Sequence, residues 1–319
     1  MSQSKSPIFK LNPASLLSGR EFIKFRDPMF EGTYTALVTP FLNDRLDEAA
    51  YVRLIEAQIL AGVTGIVPVG TTGESPTLDH QEHHRVIELA VQTAKGRCLV
   101  LAGTGSNSTS EAISLTCEAE RLGADAALIV APYYNRPTQA GLVAHFSAIA
   151  AATRLPIMLY SIPGRCGVEI GVETVATLAA RHSNITALKE AGGSVERVSQ
   201  LRSALPPAFQ ILSGDDSLTL PFMSVGATGV VSVASNIIPA EVVSLVNAAR
   251  DGDYASAREQ HYRLYTLFKD LFVESNPAPA KYALSLLGRM HPEVRLPLAP
   301  LAEASRARVE AAMRHTGLL

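Results

Sequence analysis

The chain has 319 residues, 47% hydrophobic and 18% charged, which is enough to bury a large core as one big domain or two ordinary ones. Its 28 basic residues are scattered among 30 acidic ones for a formal charge of −2, which argues against a nucleic-acid stripe or a polybasic membrane-binding face. Three cysteines (Cys98, Cys117, Cys166) form no CxxC pair and leave an odd count, so a reducing cytosol fits better than a disulfide framework.

Residues 1–31 read as an N-terminal extension. They lack the apolar core of a secretion signal and carry Glu21 and Asp27. No apolar run reaches the roughly 18 residues a bilayer crossing needs, so a cytoplasmic protein is expected. From there short apolar, β-branched runs recur at 33–38, 65–70, 99–103, 127–131, 156–161, 185–190, 209–214 and 229–234. Near-continuous apolar strands imply burial on both faces, hence a parallel sheet under helices. Helical stretches fall between them at 48–61, 80–95, 110–122, 139–153 and 172–181, with Asp79 and Thr109 as expected caps. Eight such units predict a (β/α)8 barrel over 32–250. A doubly wound sheet is the rival, but no GxGxxG follows the first strand. Residues 251–319 read as an additional C-terminal helical region, with helices at 253–273, 277–287 and 301–315.

In such a barrel the chemistry lies where strands end and loops begin. Lys189 ends the run Asn184-Ile-Thr-Ala-Leu-Lys189, with Glu190 to Gly193 following as a turn. Burial disfavours the ammonium and frees the amine to attack a carbonyl carbon, so the residue reads as a Schiff-base lysine. The bland alternative is a lysine whose head reaches out to solvent. The polar residues at the other strand ends favour the chemical reading. Gly70-Thr71-Thr72-Gly73-Glu74 forms a turn whose glycines let amides converge into an anion nest, with two hydroxyls beside it. Tyr160, on the strand next to that of Lys189, is placed to relay protons, although most buried tyrosines only fill space. The loop of Tyr133, Tyr134 and Arg136 between Pro132 and Pro137 suits an interface or a pocket, and Arg165 suits a substrate carboxylate. His80, His83 and His84 do not form HExxH and have no evident third ligand, so no metal site is expected.

Taken together, these motifs resemble the dihydrodipicolinate synthase and N-acetylneuraminate lyase family of class I pyruvate-dependent aldolases, on its synthase side. The resemblance runs from about Gly32 into the C-terminal helices. It includes Thr39-Pro-Phe41, Gly70 to Glu74, Ala102-Gly-Thr-Gly105, Pro132 to Pro137, Tyr160 to Pro163, Leu188-Lys-Glu190 and Gly229-Val-Val-Ser232. It implies that Lys189 forms an imine with pyruvate and that Thr72 and neighbouring amides hold the pyruvate carboxylate. Tyr160, Thr71 and Tyr134 would relay protons, with Tyr134 lent by a neighbouring subunit. Arg165 would receive the carboxylate of aspartate semialdehyde, and Val231 would line the pocket through its carbonyl. The resemblance further implies a homotetramer, no dissociable cofactor, and a lysine effector site at Ser75, His80, His83, Asn107, Glu111 and Tyr133. The expected reaction is condensation of pyruvate with L-aspartate 4-semialdehyde in lysine biosynthesis. Cleavage of a sialic acid or a 2-keto-3-deoxy sugar acid is the alternative. Ser161 and Cys166 depart from the common pattern, which has Asn and Thr there, and they bear on the aldehyde pocket.

Overall fold

The computed structural model describes residues 29–319, so most of the expected N-terminal extension lies outside the described residues. Eight parallel strands close into a barrel: β1 (Gly32–Ala36), β2 (Gly65–Val67), β3 (Leu99–Gly103), β4 (Ala126–Val130), β5 (Ile157–Ser161), β6 (Ile185–Glu190), β7 (Gln210–Ser213) and β8 (Gly229–Ser232). The seam pairs β1 with β8 in the register Gly32↔Gly229 to Thr35↔Ser232. Two glycines meet there because the backbones touch: a Cβ on Gly229 would lie 2.0 Å from the Gly32 carbonyl oxygen.

Helices α1 (Glu48–Leu60), α2 (His80–Ala94), α3 (Thr109–Leu122), α4 (Gln139–Ala152), α5 (Val172–Arg181), α6 (Val195–Ala204), α7 (Thr219–Met223) and α8 (Pro239–Arg250) follow the strands in turn. Strand side chains alternate between two apolar layers. Tyr34, Leu101, Leu128, Met158, Ala187, Leu212 and Val231 fill the barrel, while Ile129, Leu159, Leu188 and Ile211 pack outward under the helices. Expected helix bounds agree with these to within about a turn. The cap of α2 is Asp79, whose carboxylate accepts from Glu82 N while the Glu82 side chain returns to Asp79 N. The α3 cap is Ser108 rather than Thr109, which is the first residue inside the helix.

Strand β2 ends at Val67, earlier than expected, because the chain turns sharply: Val69 has φ +49° and Glu74 φ +55°. The positive φ angles of this turn fall on these two residues and not on Gly70 or Gly73. A β-branched residue held there stores strain, and it does so at the rim where chemistry is expected.

Helices α9 (Tyr254–Asp270), α10 (Ala278–Leu286) and α11 (Glu303–His315) form the C-terminal region. It is fastened to the loop after β2. Lys281, fully buried, pairs with the equally buried Glu74 and donates to Glu293 O at 2.8 Å. Arg295 N donates to the other Glu74 oxygen at 3.0 Å. The Arg295 guanidinium reaches Glu82 and Asp44. Phe41 is covered by both cations, with Lys281 Nζ 4.1 Å and Arg295 Cζ 4.2 Å from the ring centroid. Among the described residues, no helix is long and apolar enough to cross a membrane.

Candidate active site

Lys189 and Glu190 are adjacent charges on β6 that point to opposite sides of the barrel wall. Glu190 faces outward, where its carboxylate accepts from Arg197 Nε on α6 at 2.8 Å and from Gly192 N at 2.6 Å. It is the last residue of the strand, as the run 185–190 predicts, and the turn begins after it. Lys189 faces inward, 6% exposed, in register with Tyr160 on β5. Its Nζ lies 4.1 Å from the centroid of the Tyr160 ring.

Burial pushes the Lys189 amine down to about 7; the nearby Asp216 carboxylate opposes this, and the Arg165 cation adds to it. Near neutrality a large share of this amine is therefore unprotonated and nucleophilic. Gly214 leaves room for the lysine stem, since a Cβ there would stand 3.1 Å from Lys189 Cε and 2.7 Å from Ala191 Cβ. The Tyr160 phenol is pushed up to about 12 by burial, partly offset by Arg165 and by a hydrogen bond with the Thr71 side chain. A phenol that stays protonated next to a free amine can give a proton to a developing alkoxide and take it back.

Asp216, just after β7, was not picked out from sequence. Its carboxylate accepts from the Ser232 hydroxyl, from Val233 N at 3.0 Å and from Ala234 N at 2.9 Å. Its charge favours protonated Lys189 and thus a cationic nitrogen at that place. Burial pushes Asp216 itself up to about 6. The pair Asp215-Asp216 directly after an apolar strand was the signal to follow, because carboxylates seldom enter a barrel mouth without a task.

The loop after β2 carries Thr71 and Thr72. The Thr39 hydroxyl donates to Gly73 O at 2.7 Å and fixes the turn. Thr72 is buried, and its Oγ1 accepts from Asn276 Nδ2 at 2.9 Å. Arg165 sits in a short helix, Pro163–Cys166, and its Nη2 lies 3.5 Å from Asn276 O. Val231 points into the barrel from β8.

The structure brings Lys189, Tyr160, Thr71, Thr72, Arg165 and Val231 to one end of the barrel. It does not bring Tyr134 there within the same chain: that side chain is 90% exposed on a loop with φ +74°. A cavity of about 430 Å³ runs from Thr71, Tyr160 and Arg165 to Ser75, His80, His83, Glu111 and Tyr133. Residues expected to bind an effector thus line the same hollow as residues expected to act on substrate. Asn107 is tied to the tyrosine loop instead, its carbonyl accepting from Asn135 Nδ2 at 2.8 Å. His83 Nε2 lies 3.1 Å from Gly103 O, and burial pushes this imidazole down to about 4, so it is neutral. His80 Nε2 is 3.4 Å from Glu111, which also accepts from the Ser106 hydroxyl. Among the described residues, no three His, Cys, Asp or Glu side chains gather as a metal set.

The model of the dihydrodipicolinate synthetase family matches residues 29–316, nearly the whole chain. The chain belongs to that family. A 4-hydroxy-tetrahydrodipicolinate synthase of Geotalea uraniireducens is 51% identical over 91% of this chain and all of its own. The 4-hydroxy-tetrahydrodipicolinate synthase of Methylacidiphilum fumariolicum, whose structure is solved, is 55% identical, with a TM-score of 0.89 over 90% of this chain and 96% of that one. The lysine-bound synthase of Cyanidioschyzon merolae is 44% identical, with a TM-score of 0.88 over 91% and 99%. In this member of the dihydrodipicolinate synthetase family the two departures noted from sequence are both buried. Ser161 Oγ accepts from Ile170 N at 3.3 Å, and Cys166 lines the cavity beside Arg165. Ser161 therefore bonds to backbone behind the site, which leaves Cys166 as the departure that faces the cavity.

Proposed function

We propose that the protein condenses pyruvate with L-aspartate 4-semialdehyde to give 4-hydroxy-tetrahydrodipicolinate. The observation that carries this is the buried, readily deprotonated Lys189 amine over the Tyr160 ring, inside a barrel of the family whose relatives bear that synthase name. Lys189 Nζ attacks the keto carbon of pyruvate. The carbinolamine loses water with a proton from Tyr160, leaving an imine. Its cationic nitrogen draws electrons and makes the pyruvate methyl acidic, so loss of a methyl proton gives an enamine. The enamine carbon bonds to the aldehyde carbon of the second substrate, whose amino group then attacks the imine carbon and releases Lys189. The Asp216 carboxylate favours the cationic nitrogen that burial alone would oppose.

In this reading Thr72 and adjacent amides hold the pyruvate carboxylate, Arg165 forks the aldehyde's carboxylate, and the Val231 carbonyl borders the pocket. Tyr134 completes a relay with Thr71 and Tyr160 from a neighbouring subunit of a homotetramer, which accounts for a strained tyrosine exposed on a single chain. The reaction draws on no dissociable cofactor. Lysine is the effector for the arm of the cavity at Ser75, His80, His83 and Glu111, with Asn107 and Tyr133 beside it; the lysine-bound relative supports this. Free thiols at Cys98, Cys117 and Cys166 suit the cytoplasm.

The test is turnover of the two substrates by purified protein, beside N-acetylneuraminate as a competing candidate. Cyclic product from pyruvate and aspartate semialdehyde supports the assignment. Faster turnover of the sugar acid would reject it.

A further inference from the structure

Thr72 accepts a hydrogen bond from a residue 204 positions away: Asn276 Nδ2, at 2.9 Å. Asn276 lies between α9 and α10, in the C-terminal region and outside the barrel. It is buried, and its Oδ1 is a buried oxygen without a hydrogen-bond partner. An amide that uses only its donor side in the interior is destabilising, and such a cost points to a task for the bond that is made. Its backbone oxygen faces Arg165 Nη2 at 3.5 Å. One residue therefore touches both side chains assigned to substrate carboxylates.

A hydroxyl has one proton and two lone pairs. When an amide N–H occupies a lone pair of Thr72 Oγ1, the hydroxyl proton is left for an acceptor elsewhere. A keto-acid carboxylate is such an acceptor, and a pre-aimed O–H avoids the entropy of ordering it on binding. Five residues after Asn276, Lys281 pairs with buried Glu74, so the segment carrying the amide is anchored to the same loop that carries Thr72.

We propose that Asn276 is a positioning residue that aims the Thr72 hydroxyl at the pyruvate carboxylate, making the C-terminal helical region part of the keto-acid site. The inference rests on the imine reading of Lys189. It concerns one side of the chemistry: the bond to Thr72 comes from the side chain, whereas the contact with Arg165 comes from the backbone. Replacing the side chain should therefore separate the two substrates.

The experiment uses the full-length protein and the variants Asn276→Ala, Asn276→Asp, Thr72→Val and Thr72→Val/Asn276→Ala. It reads the pyruvate dependence of borohydride trapping on Lys189 by intact mass, KM for each substrate, and Tm. N276A should raise the pyruvate half-saturation about tenfold, the factor that goes with one hydrogen bond, and leave the aldehyde KM unchanged. N276D keeps the side-chain shape but takes the Thr72 proton and repels the carboxylate, so its loss should be larger; it also carries the test if N276A does not fold. In the T72V background N276A should add nothing to the pyruvate effect. Wild-type pyruvate dependence in both Asn276 variants overturns the proposal while leaving the imine reading intact. So does an equal rise in both KM values with a fallen Tm, which marks a structural role. Absence of any trapped adduct on the wild-type protein overturns the imine reading and this proposal with it.

Discussion

Lys189 Nζ stands 4.1 Å from the centre of the Tyr160 ring, on neighbouring strands paired in register inside a closed barrel. The contact sets an amine pushed down to about 7 beside a phenol pushed up to about 12, both chiefly by burial. The ordinary order of base strength is thus spread apart in the direction that carbonyl chemistry needs: a free nucleophile and a proton-bearing acid coexist at neutral pH.

Imine formation should follow the neutral fraction of Lys189. Borohydride trapping with pyruvate, measured from pH 5 to 9, is expected to rise through a midpoint near 7 and level off above it. A midpoint near the ordinary lysine value would show the amine to be solvated.

The same depression should appear in stability. An unfolded chain holds the lysine proton up to about 10.5, whereas the folded chain releases it near 7. Between those values the unfolded state binds more protons, so this group's contribution to stability improves as pH rises from about 7 to 10.5, and its cost is constant below 7. Lys189→Met should abolish trapping, remove that slope, and stabilise the fold by roughly 1–2 kcal/mol at neutral pH. Urea denaturation at pH 7 and 9 checks it; a less stable variant would contradict a costly buried amine.

Tyr160→Phe keeps the ring under the amine and deletes the proton. Turnover should fall by about 10²–10⁴ with the Tm little changed. Retained turnover would assign the proton transfers to another group.

Gly214→Ala places a methyl 3.1 Å from Lys189 Cε and 2.7 Å from Ala191 Cβ, so the lysine stem has to move. Pre-steady-state trapping should slow by about tenfold or more, since small displacements of a reacting group carry large rate losses. An unaltered trapping rate would mean that the strand ends yield instead.

The pair of Lys281 and Glu74 is shielded from water on both sides. Removing one partner strands a buried charge, so Lys281→Met should cost about 3–5 kcal/mol, and Glu74→Leu/Lys281→Met should recover most of it. Urea denaturation of the single and double variants decides this; a double variant as unstable as the single one would show that the pair is not what holds the region in place.

The amino-acid sequence by itself determined the barrel and its lysine. Near-continuous apolar runs at β3, β5 and β6 admit burial on both faces, and a charge at Lys189 within such a run is too costly to bury without a use. Asp79 announced the start of α2 for an equally local reason: its capping bond is made to the amide three residues along. What only the tertiary structure decided depends on contacts between distant segments. The opposite facing of Lys189 and Glu190 acquires its meaning only when α6 brings Arg197 to the outer side of the wall and β5 brings Tyr160 to the inner side. Asp216 became relevant once β7 and β8 lay side by side and turned three donors toward its carboxylate. Asn276 and Thr72, and Lys281 and Glu74, are separated by more than 200 positions, and no periodicity or spacing reports on such pairs. Hydrophobic alternation and capping act within a few residues, so the chain displays them directly. Hydrogen bonds and ion pairs between far segments exist only after the barrel closes and the C-terminal helices dock on its rim.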